Sequence, residues 1–319
     1  MKILVTGVGA IIGQGILKSL REGGLGDGLH GMDIHSHAYG QELCTKFHLA
    51  PRADAPDYVE RMNGIVAGNG IGFIIPGIEQ DLYRLHAERS RIGCPVLLNN
   101  DLLIGLSKDK WATYEYFRKA GGIDLIPTLE LDRYERLVEK LGSPFIVKPR
   151  SSYASKGFHV LANEGEFNLA TLHGKEGLIF QKRIGALEGE FTAHVFGDGA
   201  GGILDMLIMK RVLAADGSTG VAEFSDDAAV KACCLKLAQV TRPLGPTNFQ
   251  LIKHEGEALL LEINPRLSSA CSIATLMGYN APMHAVRHFI EKKPLTIRPK
   301  SPMKVVRHIE DWVFSKGAP

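Results

Sequence analysis

Strand-type and helical segments alternate along the first hundred residues, and this pattern restricts the fold more than any other feature. Apolar runs of strand type occupy residues 2–6, 29–34, 71–75 and 95–98, and helical periodicity occupies residues 12–22, 56–66 and 78–90. Strands that alternate with helices are typical of βαβ units stacked around a parallel sheet. The N-terminal part of the chain is therefore predicted to form a small Rossmann-like α/β domain.

Composition and charge are those of an ordinary globular protein. Hydrophobic residues make up 45% and charged residues 23% of the chain, and its net charge is +2. The sequence contains no cluster of basic residues of the kind that binds nucleic acid. No apolar run approaches the ~20 residues that a membrane span requires. The apolar segment behind Lys2 is broken by Thr6 and Gly7, unlike a signal peptide, and the five cysteines lack metal-type spacing. We expect a cytoplasmic protein with reduced cysteines and with neither a nucleic-acid nor a membrane partner.

A glycine-rich turn follows the first predicted strand. Gly7, Gly9 and Gly13 lie between that strand and a helix, and Asp33 lies where a ribose-binding carboxylate would follow. The segment resembles the start of sugar-nucleotide epimerases, but its spacing is G-x-G-x-x-x-G and no tyrosine is followed by lysine four residues later. Two interpretations stay open: a dinucleotide-binding turn, and glycines that only allow close packing.

Beyond residue 100 the pattern changes to a region rich in strands. Ser107 and Asp132 are the predicted N-caps of helices at 107–119 and 132–142. Further helices are expected at 226–241 and within 269–291. Strands are predicted at residues 145–148, 158–161, 178–182, 191–196, 203–212, 249–253 and 258–263. The fold class is therefore α/β followed by α+β.

The last two predicted strands form a hairpin with one polar face. Alternation puts Glu262 and Asn264 on one face of the second strand and Leu261 and Ile263 on the other. The first face then carries oxygen atoms and the second face is apolar.

These oxygens predict a site for a hard cation. A three-residue turn at 255–257 would place Gln250 opposite Glu262. Amide and carboxylate oxygens suit Mg²⁺, which takes one or two carboxylates together with substrate phosphates. Gln250, Glu262 and Asn264 are the predicted metal ligands, and Arg266, just beyond the strand, would donate to phosphate oxygens.

Six segments, in the expected order, resemble motifs of the ATP-grasp superfamily, in its branch related to the large chain of carbamoyl-phosphate synthetase. The helix-opening segment is matched by SKDK at 107–110, the nucleotide-binding strand by FIVKP at 145–149 and the flexible loop by RSSYASKG at 150–157. The adenine hinge is matched by LIFQKRI at 178–184, the ribose-contacting strand by EGEFT at 188–192 and the metal-binding strand by EINPR at 262–266. The resemblance covers nearly the whole chain.

The resemblance implies ATP bound between two antiparallel sheets with Mg²⁺ on its phosphates. Lysine is a compact donor for phosphate, and a loop of Ser, Lys and Gly can cover a triphosphate. The residues implied in nucleotide binding are Lys110, Lys148, Ser152, Ser155, Gln181, Lys182, Arg183, Ile184 and Glu190. Those implied in catalysis are Lys156, Arg211 and Arg266, although an exposed strand end is the other interpretation of Arg211.

Two positions depart from the commonest family pattern. Gln181 stands where many members have glutamate, and Gln250 stands where many have a second metal-binding glutamate. Each change keeps an amide oxygen as a ligand, and the motifs are therefore interpreted as an active site.

The resemblance also implies the domain order and the reaction. A Rossmann-like pre-ATP-grasp domain at 1–100 would precede a two-subdomain ATP-grasp fold, with the small subdomain at 101–180 and the C-terminal subdomain at 181–319. The implied activity is an ATP- and Mg²⁺-dependent ligase that joins a small-molecule carboxylate to an amine through an acyl phosphate. A homodimer is the usual expectation for such enzymes.

Two alternatives from other classes remain. An NAD(P)-dependent epimerase or oxidoreductase would use the glycine-rich turn and Asp33. A non-catalytic ATP-binding subunit would bind ATP without turnover. The substrates themselves are not predicted, because variable loops, including Glu79, Asp81 and residues 268–275, would build the acceptor pocket.

Overall fold

The structure is a computed structural model that describes residues 1–151, 157–172, 177–185, 189–308 and 310–311. Its α-helices are α1 Ile11–Glu22, α2 Tyr58–Asn69, α3 Glu79–Ala87, α4 Asp101–Leu106, α5 Lys110–Ala120, α6 Tyr134–Leu141, α7 Glu164–Leu172, α8 Ala228–Thr241, α9 Cys271–Leu276 and α10 Ala281–Ala285. Its strands are β1 Lys2–Thr6, β2 Leu29–Asp33, β3 Lys46–Leu49, β4 Ile71–Ile75, β5 Thr128–Leu129, β6 Phe145–Pro149, β7 His159–Leu161, β8 Leu178–Lys182, β9 Glu190–Asp198, β10 Ile203–Leu213, β11 Thr219–Ser225, β12 Leu244–His254, β13 Glu257–Asn264 and β14 Lys304–Val306. Short 3-10 helices cover Tyr39–Leu43 and Arg89–Arg91, and a π-helical segment covers Val286–Glu291.

The chain divides into two compact units. The first contains Met1–Leu98, Thr219–Glu223 and Arg266–Pro319, and the second contains Asn99–Ser218 and Phe224–Pro265. The predicted three-domain boundaries stay a prediction. Among the described residues, no helix is both long and apolar enough to cross a bilayer.

A parallel four-stranded sheet in the order β3-β2-β1-β4 organises the first unit. Leu4 and Val5 of the central strand are fully buried, and Val5 is paired with Gly31 and Ile75. Helices cover both faces of such a sheet, so its central strand is a continuous apolar run. The predicted α/β domain is confirmed. In the same unit, β14 runs antiparallel to β11.

The second unit contains two antiparallel sheets. The small sheet has the order β5-β8-β6-β7, and its core includes Phe145, Phe167 and Phe180. In the larger sheet, β13, β12, β9 and β10 are neighbours in that order. Cys234 and Leu237 of α8 belong to the apolar core of this sheet. The predicted α+β region is confirmed.

The β12–β13 hairpin has the predicted register next to the polar residues, but its turn is different. Gln250 lies opposite Glu262, as predicted, whereas His254 lies opposite Glu257. The turn therefore has two residues, Glu255 and Gly256, with φ of 51° and 83°, and the predicted three-residue turn is wrong. In a two-residue turn with two positive φ angles, the twist of the turn backbone matches the right-handed twist of the flanking strands.

A one-residue bulge offsets the shorter turn. The register shifts between Gln250 and Leu251, which pair with Glu262 and Leu260. Leu261 is the extra residue, and Leu260 and Ile263 are the core residues on either side of it. The strict alternation on which the prediction of the two faces rests is therefore interrupted at Leu261.

Three further local predictions are wrong. Asp109, not Ser107, caps α5, because its carboxylate accepts hydrogen bonds from the N–H groups of Trp111 and Ala112. Arg133, not Asp132, occupies the N-cap position of α6. The predicted strand at 95–98 reduces to one bridge between Ile74 and Val96. Ser107 instead ends α4, a helix that the sequence pattern did not reveal.

Candidate active site

One face of the larger sheet carries a group of polar residues from four neighbouring strands. Cross-strand pairing aligns Glu190 with Arg211, Thr192 with Gln250, His194 with Asn248, Gln250 with Glu262, and Asn248 with Asn264. The alternate residues of the same strands, such as Phe191, Ala193 and Phe249, lie in the core with α8. Period-two alternation therefore gathers the predicted ligands on the face opposite the core.

Glu262 and Asn264 are the two members of this face whose oxygens are available to a cation. Among the described residues, none donates a hydrogen bond to the Glu262 carboxylate or to the Asn264 amide oxygen, although Asn264 is only 5% exposed. A carboxylate and an amide oxygen fit Mg²⁺, and these two residues would hold it. The described residues contain no cluster of three or more His, Cys, Asp or Glu side chains that could hold a metal alone.

Gln250 is held in a hydrogen-bonded network with Arg211. The guanidinium of Arg211, whose side chain is 5% exposed, donates from Nε to Glu190 Oε1 over 3.0 Å and from Nη2 to Gln250 Oε1 over 2.9 Å. A second contact joins Nη2 to Glu190. Burial, together with the charge of Arg211, lowers the pKa of His194 to about 3, so the imidazole beside this network is neutral.

Lys148 connects the small sheet to the charges of the larger one. Its Nζ donates a 2.8 Å hydrogen bond to Gln181 Oε1, and Gln181 Nε2 donates to Thr128 Oγ1 over 2.9 Å. Desolvation lowers the pKa of Lys148 to about 8; the Glu262 carboxylate opposes this shift, and the Lys110 ammonium adds to it. The pKa of Lys148 therefore responds to the charges of two other residues of the predicted site, Lys110 and Glu262.

An ion pair fixes the start of α5 against the end of β6. Arg150 donates from Nε and Nη2 to Asp109, the N-cap residue of α5, with a shortest distance of 2.6 Å. The Lys110 N–H donates to the Arg150 carbonyl over 2.9 Å. Although desolvation raises it, the hydrogen bonds from Arg150 and Ala112 hold the pKa of Asp109 below its usual range. The start of α5, where Lys110 lies, is thereby attached to the residue that follows β6, the strand of Lys148.

The remaining predicted nucleotide ligands lie at the end of β8 or belong to the sequence segment 150–157. Lys182 and Arg183 are exposed and Ile184 is half-buried. The Lys182 N–H donates to the Pro127 carbonyl over 2.9 Å. The predicted phosphate-loop residues Ser152, Ser155 and Lys156 lie outside the described residues.

Arg266 belongs to the first unit and is paired there. Its Nη2 donates to Glu79 Oε1 over 2.5 Å, and its buried Nε has no partner among the described residues. Asp81, suggested together with Glu79 for an acceptor pocket, is buried and accepts a 2.8 Å hydrogen bond from the Tyr58 hydroxyl.

The backbone of the glycine-rich turn is closely packed, and one of its N–H groups is bound by Asp33. Asp33 accepts hydrogen bonds from the N–H groups of Gly9, at 2.7 Å, and His35, at 3.0 Å. A Cβ at Gly13 would lie 2.3 Å from the Gly7 carbonyl oxygen. These contacts favour the packing interpretation. The Asp33 carboxylate, which would bind a ribose in the other interpretation, already accepts hydrogen bonds from two backbone N–H groups.

Sequence reasoning missed three residues that support the site. Asp109 lies in the SKDK motif and Arg150 in the RSSYASKG motif, but neither motif indicates that the two side chains pair. Their ion pair depends on a fold that brings α5 to β6. Thr128 has no sequence signal, because β5 is only two residues long.

Comparisons with known proteins agree with this architecture. A family model described as "ATP-grasp in the biosynthetic pathway with Ter operon" matches residues 199–312. The chain is similar to the N5-carboxyaminoimidazole ribonucleotide synthetase of Thermus thermophilus, with TM-score 0.73 and 14% identity over 93% of this chain and 80% of that one. No curated protein is detectably similar to it in sequence.

Two further solved structures carry nucleotides. The carboxyaminoimidazole ribonucleotide synthase of Aspergillus clavatus, complexed with ATP, has TM-score 0.73 and 16% identity over 95% of this chain and 80% of that one. The biotin carboxylase domain of Hydrogenobacter thermophilus 2-oxoglutarate carboxylase, complexed with MgADP, ADP and bicarbonate, has TM-score 0.69 and 17% identity over 90% of this chain and 69% of that one.

These matches define the class of the chain: it has the ATP-grasp fold. The predicted fold is thus confirmed.

Proposed function

We propose that the chain is an ATP- and Mg²⁺-dependent ligase that activates a small-molecule carboxylate as an acyl phosphate and couples it to an amine. The observation that carries this proposal is the geometry of two groups of residues. Lys148 of the small sheet is oriented by its 2.8 Å hydrogen bond to Gln181, and the polar face of the larger sheet presents the oxygens of Glu262 and Asn264. A cationic side chain opposite a carboxylate and an amide suits a metal-bound triphosphate between two sheets.

The nucleotide would be held by both sheets. Lys110 and Lys148 would contact its phosphates, and the segment at 181–184 would hold the adenine. Glu190 is proposed to reach the ribose from the start of β9. The loop residues Ser152, Ser155 and Lys156 are proposed phosphate ligands from the resemblance alone.

The chemistry needs positioning and charge neutralisation rather than a covalent side chain. A carboxylate oxygen of the substrate attacks the γ-phosphorus, and the bond to the bridging oxygen breaks to release ADP. The amine nitrogen then attacks the acyl carbon, phosphate leaves, and the amine loses a proton. Mg²⁺, when bound at Glu262 and Asn264, would neutralise phosphate charge. Arg211 is the proposed cationic residue of the transfer step on the polar face, and Arg266 is proposed for this step from the resemblance alone.

Carboxylate-dependent release of ADP tests this function. The first panel should contain bicarbonate, because one structurally similar carboxylase is complexed with it, followed by amino acids and dicarboxylates, each with and without amines. We expect one substrate pair to raise ADP release above the background of ATP alone. Lys148→Met should abolish that increase, whereas Lys140→Met, at an exposed position of α6, should retain it.

Two outcomes would contradict the proposal. If Mg-ATP binds but no acceptor is turned over, the chain is a non-catalytic ATP-binding subunit. If NAD⁺ or NADP⁺ binds and ATP does not, the oxidoreductase alternative replaces it. A homodimer and a cytoplasmic location remain expectations, and light scattering of the purified protein tests the first.

A further inference from the structure

We propose that Gln250 is not a metal ligand in this chain and that the active site binds one divalent cation, at Glu262 and Asn264, with the Arg211 guanidinium as the fixed positive charge beside it. This inference rests on the proposed function and specifies its metal site. It also departs from the sequence-based prediction, in which Gln250 is the third metal ligand.

The first step is the anchoring of Arg211. β10 places this residue directly opposite Glu190 of β9. Two guanidinium nitrogens contact the Glu190 carboxylate, and the Arg211 side chain is 5% exposed. A buried guanidinium with a carboxylate partner keeps its charge and its planar geometry. The positive charge is therefore a fixed part of the polar face.

The second step is the orientation of Gln250. An arginine only donates hydrogen bonds, so the Gln250 atom 2.9 Å from Arg211 Nη2 is the amide oxygen. The amide nitrogen faces Asn248 Oδ1 at 3.4 Å. Asn248 is oriented in turn, because its Nδ2 donates to Thr192 Oγ1 over 2.6 Å and to the Ala193 carbonyl over 3.3 Å. Turning the Gln250 amide over would set its NH₂ group against the guanidinium.

The third step is electrostatic. A divalent cation on the Gln250 oxygen would lie beside a guanidinium bonded to the same oxygen, and like charges at such separation repel strongly. The Glu190 carboxylate is already neutralised by Arg211. In the described part of this face, Glu262 is thus the carboxylate that accepts no hydrogen bond from an arginine or lysine side chain, and it suits one metal ion rather than two.

Binding of Mn²⁺ tests the inference without reference to turnover. Electron paramagnetic resonance would count Mn²⁺ ions per chain in the presence of one equivalent of a non-hydrolysable ATP analogue. The variants are Gln250→Met, which keeps the shape but removes the oxygen, and Glu262→Gln as the matched change at the proposed ligand. Circular dichroism and the melting temperature verify that each variant folds.

We expect one bound Mn²⁺ in the wild type, the same number and an affinity within about twofold in Gln250→Met, and affinity at least about tenfold weaker in Glu262→Gln. Two spin-coupled Mn²⁺ ions in the wild type would overturn the inference while leaving the ATP site in place. Equal weakening by Gln250→Met and Glu262→Gln would also overturn it. If no Mn²⁺ binds in a nucleotide-dependent way, the proposed function fails together with this inference.

Discussion

Lys148 of β6 donates its hydrogen bond to the side chain of Gln181 on the neighbouring strand β8, over 2.8 Å. Gln181 was predicted from its position in the adenine hinge to contact the base. In the structure its amide oxygen faces Lys148 and its amide nitrogen faces Thr128. Gln181 therefore orients the lysine that the proposed function places on the phosphates.

The pH dependence of ligand-free stability follows from the lowered pKa of Lys148. The folded-state pKa is about 8 and the ordinary value is 10.5. Between these values the unfolded chain binds more protons at this site, so the free energy of unfolding rises with pH from about 8 to about 10.5. We expect a contribution of about 1–3 kcal/mol after allowance for partial exposure. Urea titrations of the wild type and of Lys148→Met measure it, and an identical rise in the variant would contradict the assignment.

Nucleotide binding should show the opposite pH dependence. Above pH 8 a growing fraction of the ligand-free protein has neutral Lys148, which does not attract phosphate. The affinity for Mg-ADP is expected to fall by up to about tenfold per pH unit through this range. Isothermal titration calorimetry at pH 7, 8 and 9 measures the change, and Lys140→Met serves as the control. An affinity that is constant over this range would contradict the role of Lys148.

Thr128→Val should weaken nucleotide binding through Gln181. The substitution keeps the size of the buried side chain but removes the acceptor for Gln181 Nε2, so the amide loses its fixed orientation. We expect a loss of about 1–2 kcal/mol in unfolding free energy and a higher KM for ATP. Thr128→Ser retains the hydroxyl and should restore both values. A Thr128→Val protein with wild-type KM would show that the orientation of Gln181 does not matter.

Asp109→Asn should be more damaging than Asp132→Asn. Asp109 caps α5 and pairs with Arg150, whereas Asp132 only looked like a cap in the sequence and has no cap role at α6. We expect losses of about 1–3 kcal/mol for Asp109→Asn and at most about 0.5 kcal/mol for Asp132→Asn. Chemical denaturation of both variants measures the difference. Equal losses would contradict the stabilising role of the Asp109–Arg150 ion pair, which joins α5 to the end of β6.

Gly13→Ala tests the packing interpretation of the glycine-rich turn. A Cβ at this position would meet the Gly7 carbonyl oxygen and the Val8 backbone, neither of which can move alone. We expect destabilisation by at least about 2 kcal/mol. Gly64→Ala, in α2 with open space around its Cβ, should stabilise by up to about 1 kcal/mol. If Gly13→Ala were neutral in thermal unfolding, the close packing would be disproved.

The sequence predicted the pairing of Gln250 with Glu262 better than the structural details that produce it. Gln250 faces Glu262 because a turn one residue shorter than predicted is offset by a bulge at Leu261, and neither feature has a clear local signal. The βαβ domain was predictable, because buried parallel strands are continuous apolar runs. The cap at Asp109 could be inferred only with knowledge of α4, whose end at Ser107 displaces the start of the next helix.

Side-chain partners across strands were the least predictable part of the site. The sequence predicts Gln181, Arg211 and Gln250 as polar residues of a nucleotide and metal site. It did not show that Gln181 binds Lys148 or that Arg211 binds Gln250, because these pairs depend on strand order and on rotamers set by tertiary contacts. The structure thus assigns partners to residues whose chemical types the motifs had already indicated.

Thermal unfolding with Mg-ATP, ATP with a chelator, NAD⁺ and NADP⁺ in parallel tests the central claim most directly, because a ligand that binds only the folded state raises the melting temperature. We predict a rise with Mg-ATP that depends on Mg²⁺, is lost in Glu262→Gln and is retained in Lys140→Met. A rise only with NAD⁺ or NADP⁺, or a rise with Mg-ATP that survives unchanged in Glu262→Gln, would contradict the proposed ATP and metal site.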